Sequence, residues 1–202
     1  MSLLLIRHGE TAGNANGIIQ HPETPLNKTG MDQATRLANR LSQTRIGLIL
    51  SSDYVRALET AEKIAQSSGA KVLTSRLLRE RNFGKLRGKS YADLGGLDVF
   101  SNEYIPPEGE SWQVFNARVD DAWEEITKTK IKLEGKLVVI THGLVLRSVI
   151  ERKLIVSQDK VKPNLVVNNT SVTVVEGQSP WRVKNLAVVD HLENINTGLG
   201  PV

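Results

Sequence analysis

Short apolar runs alternate along this chain with stretches of helical periodicity. The runs are Leu3-Leu4-Leu5-Ile6, Ile46 to Leu50 and Leu137 to Thr141. Each is short and continuously apolar rather than alternating, so each reads as a strand buried on both faces, as in a parallel sheet. Between the first two, Ala34, Leu37, Ala38 and Leu41 recur at i, i+3, i+4 and i+7, giving an apolar face to a helix that starts near Thr29. Asp32, three residues after Thr29, resembles a capping box. After the second run, Ser51-Ser52-Asp53 offers N-cap residues to a helix buried through Val55, Leu58, Ala61, Ile64 and Ala65. Gly143 to Leu154 follows the third run as another helix. This succession predicts an α/β fold, three-layer α/β/α, around a largely parallel central sheet.

Two regions depart from the alternation. Residues 81–110 hold Gly84, Gly88, Gly95-Gly96 and Pro106-Pro107 without a long periodic run, which predicts a lid-like insertion. A long helix then covers Ser111 to Lys130, its apolar face formed by Val114, Phe115, Val119, Ala122, Trp123 and Ile126. Toward the end, Ser171 to Glu176 and Arg182 to Val189 flank Gly177-Gln178-Ser179-Pro180 and read as a hairpin. No repeat or linker divides the chain, so a single domain over residues 1–202 is expected.

Composition narrows the function. No apolar run approaches the roughly 20 residues of a membrane helix, and the apolar start is cut at Arg7, too early for a signal peptide. With no cysteine there is neither a disulfide framework nor a thiolate metal site, and a cytoplasmic location is expected. The net charge of +4 comes from scattered Lys and Arg with only 4% aromatic residues, which reads as surface charge and not as a nucleic-acid face. Oligomeric state is left open, a homodimer included.

The chemistry lies where the strands end, since ligands of open α/β sheets bind beyond the carboxyl ends of the strands. The first run leads into Arg7-His8-Gly9-Glu10-Thr11, the second into Ser51-Ser52-Asp53 with Arg56 beyond, and the third into His142-Gly143. Parallel strands bring these ends together. Arginine forks match phosphate oxygens, so Arg7 and Arg56 suit a phosphoryl group and its transition state. Two guanidiniums beside an imidazole lower its pKa and keep it neutral, able to attack phosphorus. A glycine after each histidine would let phosphate approach the backbone. His21 and His191 lack such a setting, and with no His-x-x-x-His or carboxylate cluster neither a metal nor a cofactor is expected.

The string Leu5-Ile6-Arg7-His8-Gly9-Glu10-Thr11 with Asn14 resembles the signature of the histidine phosphatase superfamily, the phosphoglycerate mutase-like family. Further blocks follow in that family's order: Pro25-Leu26 with Thr29-Gly30, Ser51-Ser52-Asp53 with Arg56-Ala57 and Thr60-Ala61, and Leu78-Arg79-Glu80 with Asn82-Phe83-Gly84. Pro107 with Gly109-Glu110-Ser111, then Thr141-His142-Gly143 with Arg147, complete the set. The resemblance implies a metal-independent phosphatase acting on a small phosphorylated substrate. By it, His8 is the nucleophile, Glu80 the general acid and later base, and Arg7, Arg56 and His142 form the phosphate pocket. Asn14, Thr11 and Gly143 come with the motifs as substrate contacts. Glu10, Asp53 and Glu110 are rival carboxylates for the acid. A cofactor-dependent mutase is the alternative activity, and a catalytically silent binding module a further one. The chain departs from the family after Gly84, where Lys85-Leu86-Arg87 precedes Gly88 and Lys89. Facing the pocket, these basic side chains would favour substrates with more negative charge; facing solvent, they would not matter.

Overall fold

A computed structural model describes residues 2–158 and 165–192; the expected single domain also takes in positions outside those residues. In chain order the structure runs β1 (Ser2–Arg7), α1 (Ala12–Ala15), α2 (Lys28–Leu41), β2 (Ile46–Ser52), α3 (Val55–Ser68) and β3 (Val72–Ser75). After three single 3₁₀ turns come α4 (Trp112–Ile131), β4 (Lys136–Thr141), α5 (Gly143–Lys153), β5 (Leu154–Ile155), β6 (Val172–Glu176) and β7 (Trp181–Val188). The strands form one sheet in the order β3-β2-β4-β1-β6-β7-β5.

The sheet is α/β as expected, but only its first half is uniformly parallel. β3, β2, β4 and β1 run together, whereas β6 lies antiparallel to both β1 and β7. The central strands alternate faces. Leu3, Leu5, Leu137 and Val139 join one cluster with Phe115, Val119 and Ile126 of α4 and Val145 and Val149 of α5. Leu4, Ile6, Val138 and Ile140 join the other with Leu37 and Leu41 of α2 and Ala61 and Ile64 of α3. Burying one such Leu or Ile is worth ~1.5–3 kcal/mol, against about 0.2–0.5 kcal/mol for an exposed i, i+4 ion pair. The three layers are therefore held by their apolar faces and not by pairs such as Lys128–Glu124.

Three local expectations, two helix caps and one buried position, are corrected. The cap of α2 is Asn27, whose side-chain oxygen accepts from Gly30 N–H at 2.7 Å; Asp32 instead pairs with Arg36 at 3.0 Å. Ser51 and Ser52 are buried strand residues paired with Thr74 and Ser75, so α3 begins behind Tyr54 with no side-chain cap. In α4 the buried positions are Phe115, Val119, Ala122, Ile126 and Lys130, which turns Val114 outward to 56% exposure. Segment 81–110 is folded onto the first core cluster through Phe83, Leu86 and Val99. Within it Arg81 is 2% exposed and donates to the carbonyls of Glu110, Val99 and Tyr104. At Gly84 (φ +51°) a Cβ would lie 2.0 Å from Pro107 O, so the two ends of the segment close on each other only through glycine.

Candidate active site

Strand register assembles the centre of the site. β1 and β4 pair Arg7 with Thr141, so the residues that follow, His8 and His142, leave the sheet side by side. Their rings meet edge-on with centroids 5.1 Å apart. Beyond the end of β2, the first turn of α3 brings Arg56 back, and its Nε–H donates to His8 Nε2 at 3.2 Å. Glu80 follows the 3₁₀ turn Arg76–Leu78, which is tied to β4 by Thr141 Oγ1–H donating to Leu78 O at 2.7 Å. Arg7, His8, Asn14, Arg56, Glu80 and Gly143 thus line one cleft, of about 620 Å³.

Hydrogen bonding fixes the state of His8. Its Nδ1 lies 2.7 Å from Gly9 O, a group that can only accept, so the ring proton is on Nδ1 and Nε2 keeps its lone pair. The bond from Arg56 agrees. Burial first, then the charges of Arg56 and Arg7, hold the His8 pKa well below the ordinary 6.5. His142 is held down in the same way, by burial and then by Arg56, His8 and Arg7. Its Nε2 is 2.9 Å from Ser52 Oγ, while its Nδ1 is buried without a partner. The main chain of His8 is clamped as well, its carbonyl accepting from Asn169 Nδ2 at 2.9 Å and from Thr170 N–H at 3.3 Å.

These two histidines make folding pH-sensitive. The unfolded chain takes up protons below about pH 6.5 that the folded rings refuse, so stability is full above that value and falls as the pH drops toward the depressed folded values. Thermal melts between about pH 7.5 and 5.5 should show Tm falling with pH, with a shallower fall in a His8→Ala, His142→Ala double variant. An unchanged slope in that variant would assign the sensitivity elsewhere.

The cations and the acid have distinct settings. Arg7 is buried, donates from Nη1 to Val167 O at 2.7 Å, and leaves its Nε without a partner. Burial lowers the Arg56 pKa to about 10, which still leaves it charged at neutral pH. Glu80 is the only carboxylate lining the cleft among the described residues. Its two oxygens accept from Arg81 N–H (2.9 Å) and Leu144 N–H (3.2 Å). Burial nevertheless raises its pKa above 4.5, against these bonds and the pull of Arg56 and Arg7. The rival carboxylates are engaged elsewhere. Glu10 accepts from Asn27 Nδ2 at 2.8 Å, Asp53 is chelated by Arg79, and Glu110 takes both Nε–H and Nη2–H of Arg118. Arg118 and Asn82 N–H hold the Glu110 pKa below 4.5 despite burial.

Comparison with known proteins now bears on this geometry. A model of the histidine phosphatase superfamily (branch 1) matches residues 3–187. The chain belongs to this superfamily. It is 38% identical to the Arabidopsis thaliana phosphoglycerate mutase-like protein 4, over 98% of this chain and 91% of the relative. Against a metal-independent phosphoserine phosphatase of the same plant it is 35% identical, over 96% and 84%. Its fold matches the crystal structure of a Bacillus anthracis phosphoglycerate mutase with a TM-score of 0.81 at 27% identity, covering 96% and 95% of the two chains. The expected class, a phosphomonoester hydrolase of the histidine phosphatase type, therefore stands.

Not every motif residue of this histidine phosphatase reaches the cleft. Thr11 is fully buried and lines no part of it; its Oγ accepts from Asn14 N–H (3.0 Å) and donates to Gln20 Oε1 (2.8 Å), capping α1. His142 is also fully buried, with its ring against that of His8 and its Nδ1 without a partner. Asn14 Oδ1 already accepts from Thr11 N–H and Asn169 Nδ2, so what Asn14 offers a ligand is its own NH₂. Gly9 serves packing and not phosphate approach, because a Cβ there would sit 2.7 Å from Gly30 O. His21 is exposed but supplies its main-chain carbonyl to Arg56 Nη1 at 3.0 Å. His191 contacts Thr170 Oγ1 at 3.1 Å, away from the cleft. Sequence reasoning overlooked Tyr54, Tyr91 and Asn169. Tyr54 stands between His142 and Arg56, at 5.2 Å and 5.0 Å from its ring centre, and Tyr91 has its pKa raised to about 12 by burial beside Glu80.

Proposed function

We propose that this histidine phosphatase hydrolyses small phosphomonoesters by two phosphoryl transfers, without a metal, using His8 as nucleophile and Glu80 as proton donor and then acceptor. One observation carries the reading. The lone pair of His8 Nε2 belongs to a cleft whose only carboxylate among the described residues is Glu80 and whose cations include Arg7 and Arg56. The phosphoryl oxygens take the Arg56 bond that Nε2 holds in the free protein, which releases the lone pair. Arg7 Nε, His142 Nδ1 and the Asn14 amide, each with hydrogen-bonding capacity to spare, bind the remaining oxygens.

In the first transfer the Nε2–P bond forms as the bond from phosphorus to the leaving oxygen breaks, and Glu80 protonates that oxygen. In the second, water attacks phosphorus, Glu80 takes its proton, the N–P bond breaks and inorganic phosphate leaves. The phosphatase among the relatives supports water as the final acceptor. Thr11 holds Asn14 in place, and Gly143 contributes wall without side-chain bulk.

The guanidiniums supply the positive charge that a metal would otherwise bring. Hydrolysis of nitrophenyl phosphate is therefore expected to persist after dialysis against EDTA at the rate of the untreated protein. Loss of activity restored by a divalent cation would contradict the proposal.

A further inference from the structure

Of the three basic residues that depart from the family pattern, the structure turns only one toward the cleft. Lys85 is exposed and paired with Glu108 at 2.7 Å, and Lys89 is exposed and lines no part of the cleft. Arg87 lines the cleft and is partly buried. Its place is fixed by the backbone. Arg87 N–H donates to Gly84 O (3.2 Å), and the next residue, Gly88 (φ +84°), donates to Ile19 O (2.7 Å).

The charge of Arg87 is uncompensated. Four arginines line the cleft, Arg7, Arg56, Arg81 and Arg87. Arg7 and Arg56 flank the nucleophile and take the phosphoryl group, while Arg81 is spent on three carbonyls and the face of Trp112. Arg79 and Arg118 nearby are neutralised by Asp53 and Glu110. Among the described residues the Arg87 guanidinium has one hydrogen bond, Nη2–H to Tyr54 Oη at 3.1 Å, and no carboxylate partner. A guanidinium held at a cleft wall without a counter-ion has most to gain from an anionic ligand.

Position says which part of the substrate supplies that anion. A second groove of about 700 Å³ adjoins the first, and the two share Tyr54, Glu80 and Arg87. Glu80 must touch the leaving oxygen to protonate it. The group carried on that oxygen then passes Glu80 into the adjoining groove, where Arg87 is bonded to the hydroxyl of Tyr54, whose ring Arg56 faces. We infer that Arg87 is a specificity residue and that the preferred substrates are phosphomonoesters whose leaving group bears a second anion, a carboxylate or a further phosphate. This rests on the phosphatase reading above.

The test compares kcat/KM within pairs that differ by one anionic group. Phosphoserine against phosphoethanolamine and 3-phosphoglycerate against glycerol 3-phosphate probe the carboxylate; fructose 1,6-bisphosphate against fructose 6-phosphate probes the phosphate. The native protein should favour the charged member of at least one pair by about 10-fold or more, the scale of a charge-assisted bond. The pair with the larger ratio identifies the anion. Arg87→Gln should collapse that ratio toward one, mainly through KM, and Arg87→Lys, which keeps the charge, should retain most of it. A native ratio near one in every pair would overturn the inference, as would equal losses on both members in a folded Arg87→Gln protein. If Arg87→Gln does not fold, Arg87→Met, which also removes the charge, takes its place: loss of the ratio through KM supports the inference, and an unchanged KM for the charged member in that variant overturns it. Failure of the phosphatase reading looks different, because the native protein would then hydrolyse neither these esters nor nitrophenyl phosphate.

Discussion

Alanine in place of His8 is expected to reduce turnover of every phosphomonoester to the assay floor, a loss on the order of 10⁵-fold or more. No other side chain can take over. His142, the nearest imidazole, is fully buried and has its Nε2 engaged by Ser52 Oγ. The fold should survive the change, because Arg7 and Thr141 still pair and the clamps from Asn169 and Thr170 hold the main chain at position 8 and not the ring. Circular dichroism and a melt should therefore report a native-like protein without activity. A folded His8→Ala protein retaining more than about 1% of native turnover would assign the nucleophile to another group.

Glu80→Gln should give a loss that depends on the leaving group. Glutamine keeps the shape but has no proton to give, so esters of poor leaving groups such as glycerol should slow by about 10²–10⁴-fold, the usual contribution of general acid catalysis. Nitrophenolate departs without protonation, so nitrophenyl phosphate should form the phosphoenzyme at a rate near native. Pre-steady-state release of nitrophenol measures this step by itself. Raised by burial, the Glu80 pKa favours the acid form that the first transfer needs. Equal slowing of both substrate types in the phosphorylation step would remove Glu80 from that role.

How much was legible in the sequence follows from which interactions are local. Arg7, His8 and His142 could be read because each stands directly after an apolar run, where the chain passes from buried strand to open edge. Arg56 was readable from its place in the first turn of a helix that follows such a strand. Asn169 was not, because its access to the His8 carbonyl exists only through β6 folding back antiparallel beside β1. The cap of α2 was read at Thr29, but Asn27 takes it through tertiary contacts, since its own N–H and Nδ2–H both bond to Glu10. Gly9 looked like room for phosphate, whereas its missing side chain makes room for the first turn of α2. The orientations of Lys85, Arg87 and Lys89 depend on a single 3₁₀ turn that buries Leu86 between them, a feature without periodicity to betray it.

The claim on which the rest depends is that the phosphoryl group passes through His8. Mixing the protein with a good substrate, quenching in alkali within milliseconds and mapping the modified peptide by mass spectrometry reads this directly, because a phosphoramidate survives alkali and is lost in acid. The expected result is one phosphoryl group on His8 of the native protein, accumulating before steady state and longer-lived when water attack is slowed in Glu80→Gln. Turnover without any trapped phosphohistidine, or with the phosphoryl group on a residue other than His8, would contradict the account.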